Sequence, residues 1–192
     1  MSLQLPETEN IYKLEATCPI SISETECTHK IKPVVLFNYM QDLAKKSLEK
    51  SHSEYSCEEL LKQGLGWVII RYRIEFENYE NDIKEVKVLT ENRGCQKLTA
   101  YRDFEILDNI TQKRILKAFS SWFVIDLDNK SVVNIEKELP NFRKFTPNQK
   151  DLKFNKLKSC ENFDSEKFFE VRFDDLDINN HVNNTVYISW AL

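Results

Sequence analysis

No run in this 192-residue chain approaches the roughly 20 consecutive apolar residues a membrane-spanning helix needs, so a soluble chain with no membrane partner is expected. The N-terminus, Met1 to Glu9, has acids and a proline in place of the apolar core of a secretory signal, which predicts a cytoplasmic location. Neither sign of charge dominates: a net charge of -4 gives no bias toward nucleic acid or an anionic membrane. The five cysteines (Cys18, Cys27, Cys57, Cys95, Cys160) stand singly. Their odd count and lack of C-x-x-C spacing argue against a disulfide framework or a zinc knuckle and predict buried free thiols. The three histidines, His29, His52 and His181, are too far apart in sequence to suggest a zinc site. H-E-x-x-H, P-loop, G-x-S-x-G and G-x-G-x-x-G patterns are all missing, so neither a metal nor an organic cofactor is expected.

What is present fits a packed globular chain: 41% hydrophobic residues, twelve Phe, seven Tyr and 30% charged residues. Ile11 to Ile22 reads as extended. Pro33 stands where a helix can begin, and Leu36, Tyr39, Met40, Leu43, Ser47 and Leu48 then recur at helical spacing to about Lys50. A short helix follows over Cys57 to Gln63, stopped by Gly64. Four strand-like runs come next: Trp67–Phe76, Ile83–Thr90, Gln96–Leu107 and Arg114–Leu127. Turn-like pieces separate them, among them Glu91 to Cys95 with Gly94. The expectation is an α+β fold in which an antiparallel meander of four consecutive strands wraps one long helix.

From Asn141 to Cys160 six basic residues face the single acid Asp151, and from Glu161 to Asp177 seven acids face Lys167 and Arg172. That shift marks a linker. The division is residues 1–139 as a first domain, 140–164 as a basic linker and 165–192 as the start of a second. The second opens with a strand-like run, Lys167 to Phe173, then a polar loop and the start of an apolar helix. This repeats the order of Ile11 to Leu48 as a weak internal duplication.

The chemistry concentrates in that polar loop, where Asp177, Asn179 and His181 alternate and Asn183 and Asn184 follow. In an extended loop alternate side chains project the same way, and a helix start adds free backbone N–H groups. An imidazole can activate water, a carboxylate or amide can orient it, and helix N-terminal amides can stabilise an oxyanion. The same Asx-rich loop also reads as a plain helix cap, with His181 incidental.

The string Asp175-Leu176-Asp177-Ile178-Asn179-Asn180-His181-Val182-Asn183-Asn184, followed by Tyr187 and Trp190, resembles the active-site motif of acyl-acyl-carrier-protein (acyl-ACP) thioesterases, which are tandem hot-dog enzymes. The helix around Phe37 to Leu48, Gly66-Trp67, Tyr101-Arg102-Asp103-Phe104 and Ser121-Trp122-Phe123-Val124-Ile125-Asp126 match in order, so the likeness covers essentially the whole chain. It implies a double hot-dog fold and hydrolysis of the thioester linking a fatty acyl chain to acyl carrier protein, a step of fatty acid biosynthesis. His181 becomes the base acting on water, Asp177 and Asn179 orient it and hold the thioester, and Asn183, Asn184, Trp67 and Arg102 contact substrate. The acyl pocket comes from the helix and facing strands of the first unit. The basic linker is a candidate dock for the acidic carrier, with Arg71, Arg73, Arg93 and Arg102 as further candidates, expected mostly as outward-facing strand residues. A homodimer is also expected.

Two departures stand out. Thr90-Glu91-Asn92 occupies the place where the family often has Thr-Trp-Pro, and the chain reaches Leu192 just inside the second hot-dog helix, leaving that unit incomplete. Val186, Tyr187, Ile188 and Trp190 are then expected to lie exposed or to pack on the first unit or a partner. An acyl-CoA thioesterase, and an acyl-binding module without turnover, remain alternatives.

Overall fold

The computed structural model describes residues 10–148, 151, 153–159, 161–177 and 181–191. Strand β1 (Lys13–Pro19) leads through a loop to helix α1 (Pro33–Ser51) and short helix α2 (Cys57–Lys62). Four long strands follow: β2 (Leu65–Phe76), β3 (Glu85–Gln96), β4 (Thr99–Asp108) and β5 (Arg114–Asp126). Strand β6 (Ser131–Val132), helix α3 (Ile135–Glu138) and helix α4 (Asn184–Ala191) complete the elements.

Pro33 occupies the first turn of α1, where its missing N–H costs nothing. The stripe Leu36, Met40, Leu43, Ser47, Leu48 is buried as expected. It packs on the inner face of the sheet against Leu14, Val86, Val88, Phe104, Ile106 and Leu116. Burying side chains such as Leu36 and Met40 contributes about 1.5–3 kcal/mol each, which is what holds so long a helix to the sheet. A second cluster gathers Leu48, Leu60, Cys95, Ala100, Val124, Ile135, Leu139 and Phe142 around the C-terminal end of α1. The result is a curled antiparallel sheet around one long helix, the expected α+β hot-dog arrangement.

The sheet order β1-β3-β4-β5-β2 corrects the expected meander. Strands β3, β4 and β5 do run as a meander, but β2 lies on the far side of β5, pairing Trp67 with Val124 and Phe76 with Leu116. Local alternation identifies a strand without identifying its neighbour. The turn expected at Glu91 to Cys95 is also corrected. Strand β3 runs through it with a bulge between Asn92 and Gly94, and the chain reverses at Lys97-Leu98 instead. Gly94 is at φ +88, and a Cβ there would lie 2.4 Å from the carbonyl oxygen of Arg143. The glycine is needed because the linker crosses at this point: Cys95 N–H donates to Arg143 O at 2.7 Å, and Phe145 N–H donates to Cys95 O at 2.8 Å.

The linker beyond Phe142 lies over the outer face of the sheet. Phe145 packs on Tyr101 with ring centroids 4.3 Å apart, and Phe154 stacks on Phe119 at 5.3 Å. Arg93 fastens it: Nη1 donates to Asp151 Oδ1 at 2.7 Å and to Asp103, and Nη2 donates to Thr146 O at 2.9 Å. Arg93, covered by the linker, and Arg102, on the inner face, are thus both shielded from solvent, at 9% and 7% exposure. Arg143 is likewise taken up internally, against Glu91 at 3.1 Å and over the Tyr12 ring at 4.5 Å.

Lys167 to Phe173 is not a strand, a third correction. Its apolar alternation finds no partner strand among the described residues, and Phe168 and Phe173 are 92% and 89% exposed. Helix α4 packs on α1, with Ile188 against the first core cluster and Trp190 stacked on Phe169 at 5.1 Å, while Tyr187 stays exposed. Of the four described cysteines, all are free, but Cys27 is exposed and Cys57 only half-buried; Cys160 lies outside the described residues. Among the described residues no helix is long and apolar enough to cross a membrane.

Candidate active site

The internal duplication, faint in residue identities, is plain in the backbone of two loops. In the first, a 3-10 turn at Ile22–Glu24 precedes a bridge of Thr25 with Ile31 and then α1. In the second, a 3-10 turn at Phe173–Asp175 precedes a bridge of Leu176 with Val182 and then α4. The closing bonds repeat one for one. Glu26 N–H donates to Lys30 O at 2.8 Å, as Asp177 N–H does to His181 O at 2.8 Å. Lys32 N–H donates to Glu24 O at 2.8 Å, as Asn183 N–H does to Asp175 O at 2.8 Å. Glu24 and Asp175 each reach back to the N–H three residues earlier, Ser21 at 2.7 Å and Arg172 at 2.8 Å. One loop geometry therefore occurs twice, carrying Glu26 and Lys30 where the second loop has Asp177 and His181.

Asn183 and Asn184 do different things in the second loop. The Asn183 side chain accepts from the N–H and the hydroxyl of Thr185, each at 3.1 Å, which caps α4. Asn184 exchanges amide hydrogen bonds with Gln41 on α1, donating to its Oε1 at 3.2 Å and accepting from its Nε2. This reciprocal pair pins the start of α4 to the third turn of α1.

That docking brings the loop to a cavity of about 260 Å³ between α1 and the inner face of the sheet. Asp177 and Asn184 line it together with Trp67 and Arg102, so four of the expected site residues share one space. Gln41, Cys57, Asn92, Trp122 and Phe142 also line it, and sequence reasoning did not assign them. Trp122 falls within the Ser121 to Asp126 strand run, and Asn92 sits in β3 beside the bulge where a turn is expected from sequence. The tryptophans present apolar faces, because their ring N–H groups are satisfied elsewhere: Trp67 Nε1 by Tyr55 O at 2.9 Å and Trp122 Nε1 by Ser120 Oγ at 2.8 Å.

His181 is not part of this cavity lining. It is exposed, its backbone N–H donates to Asp177 Oδ1 at 3.2 Å, and its ring makes no hydrogen bond among the described residues. Asn179 lies outside the described residues. The second histidine near the site is structural. His52 is 3% exposed and stacks on Phe142 at 4.5 Å; Nε2 accepts from Arg143 N–H at 3.2 Å, which places the proton on Nδ1, 3.0 Å from Ser51 Oγ. Burial holds its pKa below the ordinary imidazole value. Burial also pushes the Cys57 thiol up and the Arg102 guanidinium down to about 10, leaving arginine cationic at neutral pH. Among the described residues no cluster of His, Cys, Asp and Glu could hold a metal ion.

Fold and cavity together define a hot-dog protein with a cavity beside an Asx-rich loop. Residues 11–142 match the acyl-ACP thioesterase N-terminal domain and residues 158–192 the acyl-ACP thioesterase C-terminal domain. The chain belongs to the acyl-ACP thioesterase family. It is 30% identical over 144 residues to a chloroplastic oleoyl-acyl carrier protein thioesterase of Coriandrum sativum, covering 68% of this chain and 38% of that protein. It is 29% identical over 141 residues to a chloroplastic acyl-acyl-carrier-protein hydrolase of Cuphea viscosissima, covering 70% of this chain and 34% of that protein. The matched stretch thus spans little more than a third of these relatives. In fold, it is similar to the 12:0-ACP thioesterase of Umbellularia californica, with a TM-score of 0.77 at 22% identity over 93% of this chain and 69% of that one. An acyl-ACP thioesterase of Bacteroides thetaiotaomicron gives 0.77 at 19% identity, over 96% and 74%.

Proposed function

We propose that the protein acts in the hydrolysis of fatty acyl-ACP thioesters, releasing free fatty acid. The observation that carries this reading is the shared cavity: Asp177 and Asn184 from the C-terminal motif line the same space as Trp67 and Arg102 from the first sheet. In this reading the acyl chain enters between α1 and the sheet and the thioester carbonyl stays near the motif. His181 takes a proton from water, Asp177 and Asn179 orient the base and the thioester, and the hydroxide adds to the carbonyl carbon. The C–S bond then breaks and the carrier leaves as its thiol. Asn183 serves as the α4 cap and Asn184 as the clamp on α1, so both support the site by placing it.

Acyl carrier protein as partner is supported by the family and by the linker. Lys144, Lys153, Lys156 and Lys158 are exposed and have no carboxylate partner among the described residues, whereas Arg143 is used internally and Lys150 lies outside them. Reversing Lys153, Lys156 and Lys158 to Glu is expected to raise KM for an acyl-ACP and leave an acyl-CoA unchanged; equal effects would point to an acyl-CoA thioesterase.

The exposed His181 ring favours a second reading, an acyl-binding module without turnover. Acyl-ACP hydrolysis by the wild type and by His181→Ala separates the two. The thioesterase reading predicts turnover that falls by on the order of 100-fold or more in the variant. Binding without turnover in the wild type, or turnover unaltered in the variant, would contradict it.

A further inference from the structure

Among the described residues Arg102 is the one arginine in the cavity wall, and no described carboxylate pairs with it, although Asp42 and Asp177 line the same space. Its two hydrogen bonds, at 3.0 Å to Ser47 Oγ and 3.1 Å to Thr90 Oγ1, both leave from Nη1 and both end on neutral hydroxyls. Those acceptors are themselves buried, Ser47 at 0% and Thr90 at 4% exposure, so the guanidinium is held on a built mount. Arg93, Arg114, Arg143 and Arg172 each pair with a carboxylate; among the described residues Arg102 has none. A guanidinium carries five donors, so Nε and Nη2 are left for the space that the residue lines. Burying a cation with neither counter-ion nor a full set of acceptors is costly, and a bound acceptor removes that cost.

Its position says which part of a ligand it would meet. The clamp for the motif is Gln41, and the mount for the guanidinium is Ser47, six residues along the same helix. At 1.5 Å per residue they stand about 9 Å apart along the axis. Gln41 and Leu48, the residue after the mount, both line the cavity, so the Arg102 mount sits toward the end of it away from the motif's clamp. At about 30 Å³ per water-sized group, the space holds on the order of eight non-hydrogen atoms, a medium-length chain.

We propose that Arg102 recognises a hydrogen-bond acceptor, best a carboxylate, at the far end of a medium-length acyl chain, so that the site selects oxygenated acyl thioesters over plain alkyl ones. This rests on the acyl-thioester reading above and adds the substrate class. The apolar part of the lining, Ala44, Leu48, Trp67, Ala100, Trp122 and Phe142, suits the methylene portion of such a chain, while Asp42 and Lys45 make the rest of the wall polar.

The test compares two pantetheine conjugates of equal chain length, one of octanoic acid and one of suberic acid joined through a single carboxyl. Each carries an amide in place of the thioester so that it is not consumed. Binding is read from Trp67 and Trp122 fluorescence in wild type, Arg102→Met and Arg102→Lys. The expected result is a preference of on the order of tenfold or more for the suberic conjugate in wild type, lost in Arg102→Met and partly kept in Arg102→Lys. Equal binding, a preference for the octanoic conjugate, or a preference that survives in Arg102→Met overturns the inference and leaves the acyl-thioester reading standing. If neither conjugate binds the wild type, both fall. Should Arg102→Met fail to fold, the wild-type ratio and Arg102→Lys decide.

Discussion

Replacing Gly94 by alanine tests how the linker is attached, and its cost follows from two effects. The residue sits at φ +88, where a side chain brings strain of about 1–3 kcal/mol. The new Cβ would also lie 2.4 Å from Arg143 O, 2.6 Å from Lys144 C and 2.7 Å from Lys144 O, all of them backbone atoms. No rotamer change can relieve those contacts, so the linker must lift. Lifting breaks the bonds between Cys95 N–H and Arg143 O and between Phe145 N–H and Cys95 O, worth about 1 kcal/mol each. A total loss of about 3–5 kcal/mol is expected, read as a lowered urea midpoint at unchanged slope. Gly64→Ala is the internal control. That residue is also left-handed, at φ +71, but its Cβ would meet nothing nearer than Asp128 Oδ2 at 3.9 Å, so only the strain applies. A Gly94→Ala loss equal to or smaller than that of Gly64→Ala would refute the close-approach argument. Lifting the linker would also disturb Phe142, which both lines the cavity and stacks on His52.

Further outcomes follow from the same packing. His52 has a folded pKa below the ordinary 6.5, so the unfolded chain binds the extra proton first. Its contribution is present above about pH 6.5 and is lost as pH falls below it; His52→Gln should flatten that part of a stability-versus-pH curve, and an unchanged slope would remove the buried-neutral assignment. The Gln41–Asn184 pair should show a coupling of about 0.5–1.5 kcal/mol in a double-mutant cycle on stability, with additive single effects counting against the clamp. Arg93→Met leaves Asp103 and Asp151 facing each other beneath the linker and should cost about 3 kcal/mol. Limited proteolysis between Phe145 and Phe154 should speed up accordingly, and an unaltered cleavage rate would show that Arg93 is not the fastening.

The sequence disclosed those parts of the fold that depend on one element at a time. The stripe from Leu36 to Leu48 foretold α1 and its buried face because helical period and burial coincide. Pairing between elements was not legible: β2 and β3 are consecutive runs of similar character, and only the folded sheet shows β4 and β5 between them. Gly94 misled because a left-handed glycine marks a bulge as readily as a turn, and the close approach that demands it comes from Arg143, far along the chain. For Arg102 charge pointed outward while the family likeness pointed to substrate, and the alternation between buried Ala100 and Phe104 agrees with the inward placement. The Asx-rich loop was visible from spacing; Asn183 makes the cap that one reading expects, and Asp177 lines the cavity. The matching geometry of the loop before α1 is carried mainly by backbone hydrogen bonds, with the acids Glu24 and Asp175 as the side-chain trace of it.

The central claim, that the C-terminal loop and the first-unit cavity form one acyl-thioester site, is tested most directly by a structure with a non-hydrolysable acyl-pantetheine amide bound. The account predicts the acyl chain between α1 and the inner face of the sheet, against Trp67 and Trp122, with the amide carbonyl beside Asp177 and Asn184. An acyl chain lodged elsewhere, for instance on the outer face beneath the linker, or a carbonyl away from the Asp177 loop, would contradict it.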